Sequence, residues 1–340
     1  VATDDRTQVT HYMGYLFEAS SPAQLDNRGI IGQVNLLSRP QGTYVDDLLV
    51  RPSTRRKKLN VDVELSGVKQ AGSVEFTARL LDEKGAIEKT FTQSVSVKAA
   101  GRQTVTASWD WANPRLWDYQ QPNLYTLQLA VKGAGLDDEY SQQFGFREFW
   151  IEGNQFYLNN TLFHIRPGNI QYGARPSHML ENGFNLGEIW PENRARRGSN
   201  HNDDDLMAEA DRVGLPVSGN LLHMADFLDI NRWDKPETRA DFQRQMELEV
   251  RRRRNHPSVV MWTTTGNALG IGWGDSDPWT IGLPPSFVQE NVNGRQRARE
   301  AFALVKAVDP TRPIYGHHSD NGEVHTSNMY LNFIPLQERE

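Results

Sequence analysis

Five carboxylates stand where apolar runs in the second half of the chain give way to polar residues. Glu188 and Glu192 follow one run, Asp275 and Asp277 a second, and Asp320 a third. Two carboxyl groups facing one bond can do acid–base work, one protonating a leaving oxygen while the other acts on the opposite side. Asp275 is the catalytic candidate of the five, because Gly270-Ile271-Gly272-Trp273-Gly274 lets its loop fold back over a strand end. In the other reading, Asp275 and Asp277 cap a surface turn before Pro278. Glu188 lies within Gly187-Glu188-Ile189-Trp190. A charge in such a run is costly unless it is paired or faces a polar cavity, so Glu188 is read as a binding residue.

Trp190, Trp262 and Trp273 have rings that can stack on sugars or pack a core. Histidines recur near strand ends as His164, His223, His317 and His318, without an HxH or HExxH spacing. Hydrogen bonds to hydroxyls or to supporting groups are therefore preferred for them over a metal, and neither a metal nor a cofactor is expected. The absence of cysteine removes disulfides and thiolate chemistry and leaves the redox compartment open. A periplasmic or secreted location is expected over a cytoplasmic one.

The elements that must position these residues change character once, near residue 150. Before it, short alternating runs (Leu59–Leu65, Val74–Leu80, Phe91–Val97, Val105–Trp109, Tyr125–Val131) predict an antiparallel sandwich of immunoglobulin-like size. After it, strand-like and helical runs alternate, the βα signature of a parallel sheet or barrel. Helices are predicted over Asp203–Val213, Glu237–Arg254 and Arg295–Val308. The first opens on three aspartates and stops at Gly214, and the second spaces Phe242, Met246 and Val250 four apart. Strands are predicted at Phe163–Ile165, Phe184–Trp190, Leu215–Asn220, Ser258–Trp262, Ile314–His317 and Thr326–Leu331.

With 340 residues, 38% of them hydrophobic, the chain has room for two or three domains. A net charge of −6 offers no basic field for nucleic acid or an anionic membrane. Arg251 to Arg254, the densest basic run, reads as a solvated last helical turn. No apolar run reaches membrane-spanning length.

The run Arg254-Asn255-His256-Pro257-Ser258-Val259-Val260-Met261-Trp262-Thr263-Thr264-Thr265-Gly266-Asn267-Ala268 is a helix end, a proline turn, an apolar strand and a stop on small polar residues. It resembles the fourth barrel strand of glycoside hydrolase family 2. Four further stretches resemble that family's domain junctions in order: Gly29–Leu36, Tyr44–Ser53, Trp117 with Pro122–Tyr125, and Phe144–Phe149. The resemblance implies the C-terminal part of a jelly-roll sugar-binding-type domain at 1–41, an immunoglobulin-like β-sandwich at 42–150, and the first six or so strands of a (β/α)8 TIM-type barrel at 151–340. An open barrel implies that the rest of a longer polypeptide, or another chain, covers its edges.

For chemistry, the resemblance implies an exo-acting hydrolase of O-glycosidic bonds with a carbohydrate substrate. A β-linked hexose such as galactose is expected, since few basic residues gather at strand ends to hold a uronic acid. Asn267 is implied to hold a sugar hydroxyl, with Asn328 a further candidate for such a contact, and Glu188, Trp190, Trp262 and His317 are the other substrate-binding candidates. The family's acid/base glutamate follows that asparagine, and here the position holds Ala268. Its nucleophile, on the seventh strand, is implied to lie beyond Glu340. Asp275 could bring a carboxyl to the place Ala268 leaves, while the family position matching Glu188 is not catalytic. The alternatives are an inactive member acting as a carbohydrate-binding or scaffold protein, or an engineered acid/base knockout.

Overall fold

The structure, a computed structural model, describes residues 39–170, 174–189, 203–221, 235–265, 285–317, 322–324 and 326. Apart from residues 39–41, the jelly-roll expectation for 1–41 lies outside them.

Two antiparallel sheets form the first unit. Strands β1 (Tyr44–Ser53), β2 (Lys58–Val68) and β5 (Gly101–Asp110) make one in the order β1-β2-β5. Strands β3 (Gly72–Leu81), β4 (Ile87–Val97), β8 (Leu124–Gly133) and β9 (Leu136–Gly145) make the other in the order β4-β3-β8-β9. A two-stranded ribbon, β6 (Trp117–Asp118) and β7 (Gln121–Pro122), interrupts them. Alternation builds the core: Leu59, Val61, Val63 and Leu65 of β2 face Val74, Phe76, Ala78 and Leu80 of β3 in one buried cluster closed by Trp111, Tyr125 and Phe146. This is the expected immunoglobulin-like sandwich. Among the strand predictions, β9 was missing. It reads Leu-Asp-Asp-Glu-Tyr-Ser-Gln-Gln-Phe-Gly, with its polar residues on the exposed side. A two-residue turn with positive φ at Ala134 and Gly135 holds it to β8, and the ladder supplies what its hydrophobicity does not.

A small meander, β10 (Phe149–Glu152), β11 (Gln155–Leu158) and β12 (Thr161–Leu162), leads out of the sandwich. Five parallel strands follow in sequential order: β13 (Pro167–Ile170), β14 (Leu186–Ile189), β15 (Val217–Asn220), β16 (Val259–Thr265) and β17 (Ile314–His317). The first barrel strand is therefore Pro167–Ile170 and not Phe163–Ile165. Phe163 instead packs with Phe149 and Leu158 of the meander against Leu186, Met261 and Tyr315 on the inner face of the sheet. The sixth predicted strand, Thr326–Leu331, lies outside the described residues except for Thr326.

Helices Pro176–Glu181, Asp203–Val213, Pro236–Arg253 and Pro285–Val308 alternate with these strands. Met179, Met207, Ala210, Phe242, Met246, Val250, Ala298, Phe302 and Val305 join Val217, Val259, Trp262 and Ile314 in one cluster on the outer face. Helices on one face and the meander under the other make a partial TIM-type barrel, where a doubly wound sheet would carry helices on both. Two glycines allow the packing. Gly214 ends its helix at φ +73, and a Cβ there would lie 2.8 Å from Asp118 O. A Cβ on Gly219 would lie 2.7 Å from the Trp262 ring.

Arg251–Arg254 is not a solvated turn but the joint between the two units. Arg251 pairs with Asp47 at 2.9 Å and with Glu64, and Arg254 pairs with Asp47 at 2.7 Å; Arg253 and Arg254 are buried. These carboxylates come from the sandwich, about two hundred positions away in the chain, so a local reading of the helix end had no sight of them. Beside them, Asn255 accepts from Val50 N and donates to Leu48 O, both at 2.9 Å, as a neighbouring strand would.

Under the barrel, Asp309 accepts from Trp262 Nε1 at 2.9 Å and pairs with Arg312 at 2.7 Å. Burial pushes the Asp309 carboxyl up, but the Arg312 charge and the bonds from Thr311 and Trp262 outweigh it and bring it to about 2. A depressed carboxyl stabilises the fold above its unfolded value and loses that stabilisation as the pH falls through its folded value. Asp309 is thus expected to contribute about 2 kcal/mol at neutral pH, lost between about pH 4 and pH 2. Denaturant midpoints measured across this range for the parent and Asp309→Asn check it: the acid-dependent fall should be shallower in the variant.

Candidate functional site

Strands of a parallel barrel end together, and side chains near those ends line one mouth. Four strands contribute described groups to the inner face. Tyr315 Oη of β17 lies 3.0 Å from Glu188 Oε1 of β14 and 3.1 Å from Ser218 Oγ of β15, and Thr263 Oγ1 of β16 donates to Tyr315 O at 3.3 Å. Burial, and after it the Glu188 charge, hold the Tyr315 phenol well above its usual range. It stays protonated and donates to the carboxylate.

Ladder register sets the depth of Glu188. It pairs across to Ser218 and from there to Met261, four residues before the end of β16, or about 13 Å of strand. Glu188 is therefore a floor group of the barrel, held by Tyr315.

Asn220 closes β15 two residues beyond Ser218 and shares its inner face by alternation. It is 1% exposed, yet neither its Oδ1 nor its Nδ2 has a hydrogen-bond partner among the described residues. A buried amide left so costs about 1–3 kcal/mol. At the strand-end face this is the feature of a group kept for a ligand. Asn220 was not among the sequence candidates, and its only signal there is an asparagine ending the run Leu215–Asn220. Asn220→Leu, close in size and apolar, is expected to raise stability by about 1–3 kcal/mol and to weaken binding of the carbohydrate that the sequence resemblance implies. Denaturation and sugar titration of the same variant check both signs.

Of the sequence candidates, Trp262 is corrected. Its ring is fully buried in the helix-facing cluster and its Nε1 donates to Asp309, so it packs the barrel wall away from the interior. Because β16 is buried on both faces, its hydrophobicity does not reveal which residues point inward. His317 closes β17 at the same end as Asn220 closes β15. Asn267, Ala268, Asp275, Trp190 and Asn328 lie outside the described residues. Among the described residues no group of three His, Asp or Glu could hold a metal ion, and no helix is long and apolar enough to cross a membrane.

Comparison with known proteins places the two units in one context. The family model for glycosyl hydrolases family 2 matches residues 43–147, and that for the TIM barrel domain of the same family matches 205–334. A β-galactosidase of Bacteroides ovatus is 26% identical over 80% of this chain and 34% of its own length. A β-glucuronidase of Paenibacillus borealis is 26% identical over 82% of this chain and 44% of its own. Among solved structures, a glycosyl hydrolase family 2 member from Bacteroides cellulosilyticus superposes with a TM-score of 0.60 at 20% identity, over 85% of this chain and 40% of that one. The chain thus spans about a third to under a half of the length of these relatives.

Proposed function

The chain belongs to glycosyl hydrolases family 2, and from that membership we propose that the protein hydrolyses O-glycosidic bonds, acting from the end of a β-linked hexose chain such as one ending in galactose. The observation that carries the reading is the ordered match of both family models to the sandwich and the barrel. It is supported by relatives that are β-galactosidases and β-glucuronidases.

In this reading, Asn267 holds a sugar hydroxyl. Asn220, Glu188, Trp190, His317 and Asn328 supply the surrounding contacts, Glu188 from the floor through Tyr315. A methyl group at Ala268 transfers no proton. The leaving oxygen then takes its proton from another carboxyl, and Asp275, which follows the glycine-rich run Gly270–Gly274 in sequence, is the acid we assign. The second carboxyl that such hydrolysis requires is not assigned.

Ala268 also favours a second reading, a member that binds carbohydrate without cleaving it. Hydrolysis of a panel of nitrophenyl β-glycosides by the complete polypeptide separates the two. Turnover of a neutral hexoside is expected. No turnover of any sugar by the parent or by Ala268→Glu, with saturable sugar binding retained, would leave the binding reading alone.

A further inference from the structure

At the opposite end of the barrel from the strand-end mouth, a cavity of about 540 Å³ opens between the sandwich and the segments leading into β16 and β17. Among the described residues, six arginines line it against one carboxylate, that of Glu148. Four of the six are neutralised: Arg51 by Asp62 at 2.6 Å, Arg55 by Glu148 at 2.5 Å, and Arg254 and Arg312 by Asp47 and Asp309, each at 2.7 Å. Arg56 and Arg147 remain. Neither has an ion-pair partner among the described residues. Arg147 is buried and, among the described residues, held only by backbone carbonyls, donating from Nε to Pro257 O at 2.7 Å and from Nη2 to Val259 O. Its Nη1 has no hydrogen-bond partner among the described residues.

The free hydrogen-bonding capacity at this cavity is on the donor side. Trp150, which stacks under Arg55 at 4.3 Å, has a buried Nε1 with no hydrogen-bond partner among the described residues. Glu148 is already saturated, since its Oε2 accepts from Ser53 Oγ, Thr54 Oγ1 and Arg55 N and its Oε1 from the Arg55 guanidinium. Burial, and after it the nearby Arg312 charge, also press the Arg147 guanidinium well below its usual range. The charges of Asp309, Asp211 and Glu148 act against this from a distance, but none pairs with the guanidinium directly, and a buried cation without a direct partner is unfavourable. The complement of such a cavity is a ligand rich in acceptors and carrying negative charge.

We propose that this junction cavity binds a small oxyanion, either inorganic phosphate or the phosphoryl group of a sugar-sized molecule, with Arg147 and Arg56 as its charge partners and the Trp150 indole as a further donor. The volume lies within the range of small-molecule sites and accommodates a monosaccharide. The site is separate from the sugar-cleaving mouth and does not rest on the hydrolase reading.

The test is calorimetric titration of the complete protein with inorganic phosphate, a hexose 6-phosphate and the same neutral hexose, at constant ionic strength set with chloride. Saturable binding of phosphate or hexose phosphate is expected, weakened about tenfold or more by Arg56→Glu and several-fold by Trp150→Phe. Arg56 is exposed and Trp150→Phe keeps the ring under Arg55, so both variants should keep the parent's circular dichroism. Equal affinity for phosphate and hexose phosphate identifies the oxyanion itself as the ligand, and tighter binding of the latter identifies a phosphosugar. The proposal is overturned if neither phosphate ligand binds, if both variants bind as the parent does, or if the neutral hexose competes at this site as well as its phosphate.

Discussion

Asp275→Asn is expected to slow hydrolysis of an alkyl β-glycoside by about 10² to 10⁴, the usual contribution of general acid catalysis. A dinitrophenyl glycoside of the same sugar should stay within a few-fold of the parent, because departure of so acidic a leaving group needs no proton. The comparison of kcat/KM on the two substrates separates a proton donor from a residue that shapes the loop. Equal losses on both substrates would make Asp275 a structural residue and return it to the turn-capping reading.

Arg312→Ala is expected to destabilise the protein by about 3–5 kcal/mol, the range for removing one member of a buried ion pair. Arg312 donates to the carbonyls of Val259, Arg254 and His256 as well as to Asp309, so its loss strands a buried carboxylate and several acceptors together. The urea-unfolding midpoint of the variant checks the size. The double variant Arg312→Ala with Asp309→Asn should recover part of the loss, because the stranded charge is gone. A single-variant loss below about 1 kcal/mol would mean that water replaces the guanidinium at no cost, against the burial of this cluster.

How far the fold was legible depends on where the determining interactions lie. The helix Asp203–Val213 was readable to the residue because its signals, three aspartates at one end and Gly214 at the other, are local. The inner strands of the sandwich were readable because one face is wet, so Asn60 and Asp62 punctuate Leu59, Val61 and Val63. Strand β9 was not, since a ladder to β8 and a two-residue turn hold it in place of an apolar stripe. Arg251–Arg254 was misread for a related reason: its partners Asp47 and Glu64 belong to another domain, and no window of sequence contains both.

The candidate site divides along the same line. Glu188 was legible as a charge that an apolar run must accommodate, and the structure supplies Tyr315 as the accommodating donor. The inward or outward phase of β16 was not legible, which sent Trp262 to the wrong face. Asn220 was invisible as a candidate because an asparagine ending a strand is ordinary in sequence. Only the packing reveals that its amide is buried without a partner among the described residues.

The central question of the chemistry is where the proton comes from. The rate of hydrolysis of an alkyl β-glycoside by the complete protein, compared between the parent and Ala268→Glu, measures it. With the acid supplied by a carboxyl elsewhere, a measurable parent rate and a change of less than about threefold in the variant are expected. A rise of about 10² to 10⁴ on installing the glutamate would contradict this, by showing that the proton belongs at position 268 and that the parent lacks its donor.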